Sequence, residues 1–177
     1  MVDVDSETIE THFALGNLFR RRGEVYRAIR IHQNIVERPE LPRAQREQAL
    51  RALADDYLKA GLLDRAEALL QQLADGSSTR QAEALERLVS IYEQERDWEK
   101  AIVVRDRLAA LSPDGRSPIV AHYYCELAEE ALKREDVDAA RQSLRHARSA
   151  DKGSIRGRLL RARLATEEGD ARLAARL

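Results

Sequence analysis

The sequence predicts an all-α protein made of short antiparallel helix pairs stacked side by side, on three observations. The chain is 44% hydrophobic and 34% charged, and its dominant residues, Ala, Leu, Arg and Glu, lose little rotamer freedom in a helix. Only eight glycines and four prolines interrupt it, and strictly alternating runs rich in Val, Ile and Thr are missing, so no strand is expected. Finally, a template of small and aromatic residues recurs along the whole chain. Its alanines, Ala28, Ala66, Ala101, Ala140 and Ala174, stand 38, 35, 39 and 34 residues apart.

The first pair covers 9–42. Leu15, Gly16 and Phe19 lie on its first helix, Gly23 separates the two, and Ala28 and Ile35 lie on the second. The second pair, 47–80, repeats this as Leu53, Ala54, Tyr57, Gly61, Ala66 and Leu73. The third, 82–115, offers Leu88, Val89, Tyr92, Arg96, Ala101 and Leu108, followed by Pro113. The fourth, 121–154, offers Leu127, Ala128, Ala131, Glu135, Ala140 and Ala147. A fifth, 155–177, begins with Arg161, Ala162 and Ala165 and continues to Gly169 and Ala174. There the sequence stops before a second helix could finish, as expected of an excised section.

This is the tetratricopeptide period of about 34 residues, lengthened by insertions near 39–42 and 113–118. Residues 1–177 therefore read as a single array, a right-handed superhelix of about four full repeats plus a truncated fifth. The residue types fit the geometry. Small side chains let the two helices of a pair approach closely, and a glycine between them supplies a left-handed cap. Asp64, Asp97 and Asp138 fall near the starts of second helices, where carboxylates are favourable. Each pair is too short to bury its own apolar face, so the faces must cover one another.

Other functional classes are poorly served. With 30 basic and 31 acidic residues the net charge is -1, and no helix face carries a basic stripe, so no nucleic-acid partner is expected. A single cysteine, Cys125, excludes an intramolecular disulfide. The acidic start, MVDVDSETIE, lacks a signal-peptide profile. No apolar run approaches the roughly 18 residues of a membrane span, so the fragment is expected to be soluble without direct membrane insertion.

No glycine-rich phosphate loop, GxSxG or HExxH is present, and no enzyme is expected. The neighbouring acids Asp55 and Asp56, like Glu129 and Glu130, diverge by about 100° on a helix and read as solvated charges. His12 and His32 read as packing residues. His122 and Cys125 share a helix face, but two ligands fall short of a structural zinc site. No cofactor is expected in this chain, and Cys125 reads as a single thiol on the inner face. Of Arg20, Arg21 and Arg22, the last complements the helix dipole before Gly23 while the first two face inward.

In such an array the first helix of each pair lines the concave groove. The inner positions include Phe13, Asn17, Arg20 and Arg21 in the first repeat, and Arg51, Asp55, Leu58 and Lys59 in the second. Glu86, Ser90 and Glu93 follow in the third, His122, Cys125 and Glu129 in the fourth, and Arg156, Leu159 and Arg163 in the fifth. The groove is thus basic, then strongly acidic, then basic again. That pattern suits a charge-patterned segment of another protein, since opposed charges fix orientation more than raw affinity.

Three stretches carry a more specific likeness. HFALGNLFRRRGEVYRAIRIHQ, DYLKAGLLDRAEALLQQL and IVAHYYCELAEEALKREDVDAA resemble consecutive pieces of the lipopolysaccharide assembly protein B family, from about His12 onward. The resemblance implies a Gram-negative bacterial protein held at the inner membrane, with its repeats on the cytoplasmic side. It implies a non-enzymatic adaptor that helps a membrane AAA+ metalloprotease degrade the deacetylase committing precursor to lipid A. It also implies contact with a lipopolysaccharide-sensing membrane protein. Family members carry a membrane helix and a rubredoxin-type zinc module. This chain has neither that helix nor a CxxC pair, so anchoring and zinc binding are not attributed to it. The alternative is a general scaffold or chaperone-like module that organises envelope-synthesis enzymes.

Overall fold

The computed structural model describes residues 3–76, 80–112 and 118–167, with side chains from residue 8 onward. Among them are nine helices and no strand: α1 (Asp3–Arg21), α2 (Val25–Val36), α3 (Arg43–Lys59), α4 (Leu63–Asp75), α5 (Gln81–Glu95), α6 (Trp98–Ala110), α7 (Ile119–Lys133), α8 (Val137–Ala150) and α9 (Ile155–Glu167). The fold is all-α and of tetratricopeptide type. Pro113, Gly169 and Ala174, used in the repeat alignment, lie outside the described residues.

The chain divides into two compact units, Met1–Ile91 and Tyr92–Leu177. In the first, α1 packs on α2, α2 on α3 and α3 on α4, with α1 also touching α3. In the second, α6 packs on α7, α7 on α8 and α8 on α9, with α7 also touching α9. Within each unit these helices thus meet their sequence neighbours and, in two cases, the next helix but one. Short helices gain most of their stability from such tertiary packing rather than from propensity.

All four described alanines of the repeat, Ala28, Ala66, Ala101 and Ala140, are completely buried. A longer side chain there has nowhere to go. Ala66→Leu or Ala101→Leu is expected to cost about 1–3 kcal/mol by overpacking. Unchanged urea midpoints for both variants would contradict this packing. In the first unit Ile9, Phe13, Ile35, Leu41, Ala49 and Ala52 form one apolar cluster. In the second, Cys125, Ala128, Leu144, Leu160 and Leu164 belong to another.

The turns inside the pairs repeat one backbone solution. Gly23, Gly61, Arg96 and Glu135 all have left-handed φ, at 81°, 72°, 59° and 60°. After each, an N–H reaches back five residues to a carbonyl at 2.9 Å: Glu24 to Phe19, Leu62 to Tyr57, Asp97 to Tyr92 and Asp136 to Ala131. This is the Schellman closure of a helix end. The glycine signal is present in two of the four, yet the conformation occurs in all. The third and fourth turns instead gain a side-chain cap on the following helix. Asp97 accepts from the Lys100 N–H at 3.1 Å and Asp136 from the Ala139 N–H at 3.0 Å.

A left-handed residue with a Cβ costs about 1–2 kcal/mol, part of which glycine returns as unfolded-chain entropy. Arg96→Gly and Glu135→Gly are therefore expected to raise stability by about 0.5–1 kcal/mol. Gly61→Ala should lower it by about 1 kcal/mol through φ alone, because an added Cβ there meets nothing within 4 Å. Urea melts of the three variants check both signs.

The first insertion is also held in place. Pro42 stands at the start of α3 with extended ψ, and Arg46, one turn in, donates to the carbonyls of Val36 and Arg38 at 2.9 and 2.8 Å. One guanidinium thereby satisfies the last carbonyl of α2 and one in the connection that follows it.

Candidate functional site: polar faces of the first helices

In the first unit α1, α3 and α5 bring four of the sequence-predicted groove residues, Asn17, Arg20, Arg51 and Asp55, into one network. Arg20 donates to Asn17 Oδ1 at 2.6 Å, to the Ala52 carbonyl at 2.9 Å and to Asp56 Oδ1 at 3.0 Å, and lies 3.8 Å from Asp55. Asp55 accepts from Arg87, which also reaches Glu83 at 3.2 Å. Arg51 meets the same Glu83 at 3.2 Å. Burial, then the charges of Arg51 and Arg20, hold the Arg87 guanidinium below its usual range. The network alternates sign from α1 through α3 to α5.

Two of its members were invisible to the sequence reading. Arg87 is not among the inner residues the repeat register picks out. Asp56 was expected to be a solvated charge; instead it is completely buried, its Oδ2 held by His32 Nδ1 at 2.5 Å. The 100° offset between Asp55 and Asp56 does hold: one acid faces the groove network and the other enters the core. His32 packs as expected and is completely buried. A buried carboxylate with an arginine and a histidine on it is the high-stakes part of this face, since removing one partner strands the others.

What remains open is a smaller set. Arg21, Lys59 and Glu86 are exposed, and their side chains have no ion pair among the described residues. Ser90 turns its hydroxyl back to the Glu86 carbonyl at 3.2 Å. Phe13, placed on the inner surface by the repeat register, is instead 95% buried in the apolar cluster.

The second unit shows the same habit. Glu93, near the end of α5, accepts from the Tyr123 hydroxyl and pairs with Arg105 at 3.6 Å. Burial, followed by that hydrogen bond, pushes the Tyr123 phenol up. Trp98 donates to Glu130 at 3.0 Å, and its ring stacks on Tyr123 with centroids 5.7 Å apart. Arg156 on α9 reaches back to α7, meeting Glu126 at 2.5 Å, Glu129 at 2.9 Å and His122 Nδ1 at 2.9 Å. Burial alone would lower the Arg156 pKa, but the bonds to Glu126 and Glu129 outweigh it and raise it. Arg163 pairs within α9 with Glu167 at 2.8 Å. Glu129 and Glu130, like Asp55 and Asp56, are thus engaged by the protein rather than by solvent alone.

Cys125 is not an inner-surface thiol. It is completely buried among α7, α8 and α9, and burial raises its pKa. The thiol is expected to resist iodoacetamide in the native protein and to react at once in urea, as mass spectrometry of the two samples would show. Among the described residues no helix is long and apolar enough to cross a membrane.

The chain matches the family model described as tetratricopeptide repeat over residues 11–44 and 84–119. It is 43% identical over 170 residues to the lipopolysaccharide assembly protein B of Escherichia coli strain K12, covering 96% of this chain and 43% of that protein. With the protein of the same name from Haemophilus influenzae it shares 36% over 168 residues, 95% of this chain and 42% of the relative. It therefore spans less than half the length of these relatives. A solved tetratricopeptide repeat protein from Parabacteroides merdae superposes with a TM-score of 0.53 at 19% identity, over 96% of this chain and 64% of that one. That likeness concerns the fold.

Proposed function

We propose, since the chain belongs to the tetratricopeptide-repeat portion of the lipopolysaccharide assembly protein B family, that it is a non-enzymatic adaptor in lipopolysaccharide assembly. In this reading it binds protein partners through the polar faces of its first helices. It thereby promotes turnover of the lipid A-committing deacetylase by a membrane AAA+ metalloprotease, under the influence of a lipopolysaccharide-sensing membrane protein. The full-length protein works on the cytoplasmic side of the inner membrane.

The observation that supports this is the division of labour on the inner residues. Arg20, Arg51, Asp55, Glu93, Glu129 and Arg156 are tied into ion pairs and hydrogen bonds within the protein. They set the shape and rigidity of the faces. Arg21, Lys59 and Glu86 are left for a partner, which loses little of its own binding energy in displacing internal pairs.

The test follows from the same division. Reversing Arg20 or Arg51 would set a carboxylate against Asp56 or Glu83 and confuse misfolding with lost binding. Arg21→Glu with Lys59→Glu avoids this. In the full-length protein the double variant should lengthen the deacetylase half-life in cells while leaving the melting temperature unchanged. Unaltered turnover would sink the adaptor face as drawn. Normal turnover with loss of co-purifying envelope-synthesis enzymes would favour a general scaffold instead.

A further inference from the structure

We propose that the cleft between the C-terminal end of α8 and the first two turns of α9 binds a phosphate monoester. Arg148, Lys152, Arg158 and Arg161 ring a cavity of about 280 Å³. This site stands apart from the adaptor faces and does not depend on them.

The first argument is charge that the protein does not neutralise. In this same unit Arg105 sits on Glu93, and Arg156 on Glu126 and Glu129. The four cations of the cleft have no ion pair among the described residues. The one carboxylate on its wall, Asp151, spends Oδ1 on the Gly153 N–H at 2.7 Å. Burial, together with the facing charge of Arg148, holds Arg161 below its usual range. Packing two guanidiniums toward each other without a counterion costs stability, and an entering anion removes that cost.

The second argument is the backbone. Ser154 and Gly157 line the cleft at the start of the 13-residue α9, where the Gly157 N–H donates to Ser154 Oγ at 3.1 Å. The positive end of the helix dipole adds to the side-chain charge there. Gly157 is itself tightly placed: a Cβ would lie 3.2 Å from Ser154 Oγ and 3.7 Å from Cys125 Sγ.

The ligand class follows from charge, shape and size. Arginine forks match a tetrahedral dianion with three acceptor oxygens better than a single carboxylate. The cleft, about 280 Å³ and open to solvent, is larger than a bare phosphate, so an organic body fits beside the phosphate. A soluble phosphorylated metabolite and a lipid headgroup share this chemistry.

Titration calorimetry of the whole chain at low ionic strength tests the site, with glycerol 3-phosphate, inorganic phosphate, acetate and hexaglutamate as separate titrants. Co-sedimentation with phosphatidylcholine vesicles, with and without phosphatidic acid, forms the lipid arm. Glycerol 3-phosphate should bind more tightly than inorganic phosphate and far more tightly than acetate. Binding of the soluble ester alone would place the source in solution. Binding of phosphatidic acid vesicles alone would place it in a membrane, and either outcome supports the site.

Arg148→Gln with Arg161→Gln should weaken binding by about tenfold or more, the loss of charge-assisted hydrogen bonds, while Arg145→Gln, one turn from Arg148 on α8 but outside the cleft lining, weakens it far less. Because the double variant removes a repulsion, it should melt no lower than the parent. If it melts lower, Arg148→Lys with Arg161→Lys keeps the charge and loses the forks, and should weaken binding at parental melting temperature. Acetate or hexaglutamate binding as tightly as the ester, or binding indifferent to both double variants, would overturn the proposal.

Discussion

Asp56→Ala is expected to lower stability by about 3–5 kcal/mol, the range for breaking a buried ion pair from one side. The carboxylate is completely buried and serves two partners at once, His32 Nδ1 at 2.5 Å and Arg20 at 3.0 Å. Its removal leaves the Arg20 guanidinium with only neutral oxygens and the distant Asp55, and leaves the His32 ring with no partner for Nδ1. His32 Nε2 already lacks one. Asp55→Ala is the matched control. Asp55 is adjacent in sequence and also bound to arginine, but its side chain is 23% accessible, so solvent takes over part of the lost interaction. It should cost about 1 kcal/mol or less. Urea unfolding followed by far-UV circular dichroism separates the two. Equal midpoint shifts would show that burial of Asp56 adds nothing.

That contrast marks how far the sequence could be read. The helix pairs and the alanines between them follow from period and residue size. Those are local properties, and the structure places Ala28, Ala66, Ala101 and Ala140 fully buried as the period requires. The pairing of charges was not legible. Asp55 with Arg87, Arg51 with Glu83 and Glu126 with Arg156 are 32, 32 and 30 residues apart. Which of several acids in one repeat meets which arginine in the next depends on helix rotation, which the repeat length does not specify. The turns failed in the other direction. A glycine was the signal sought, but Arg96 and Glu135 take the same left-handed φ without one, because the Schellman hydrogen bond and the aspartate caps after it outweigh the backbone cost. Cys125 illustrates a third limit. Its repeat position belongs to the inner face, but the close approach of α9 at Gly157 covers it.

Gly16→Ala is the second substitution expected to be severe, and competing effects decide its size. Alanine inside α1 would gain about 1 kcal/mol in helix propensity. Against this, the new Cβ would sit 2.4 Å from His32 Nε2 and 2.6 Å from Cε1. The ring cannot retreat cheaply, because Nδ1 is held by Asp56 and its other neighbours include the Phe13 ring, 5.9 Å away between centroids. Overpacking costs about 1–3 kcal/mol, and surrendering the charge-assisted bond to Asp56 about 1.5–3 kcal/mol more. The net expectation is a loss of about 2–4 kcal/mol. At the equivalent positions of the second and fourth pairs Ala54 and Ala128 are accommodated and completely buried, with Leu70 and Leu144 in the place that His32 takes here. The coupling is therefore between Gly16 and His32, and a double-mutant cycle reads it directly. In a His32→Ala background Gly16→Ala should be neutral or raise stability by up to about 1 kcal/mol, because the clash is gone while the propensity gain remains. The same loss in both backgrounds would place the strain somewhere other than the imidazole.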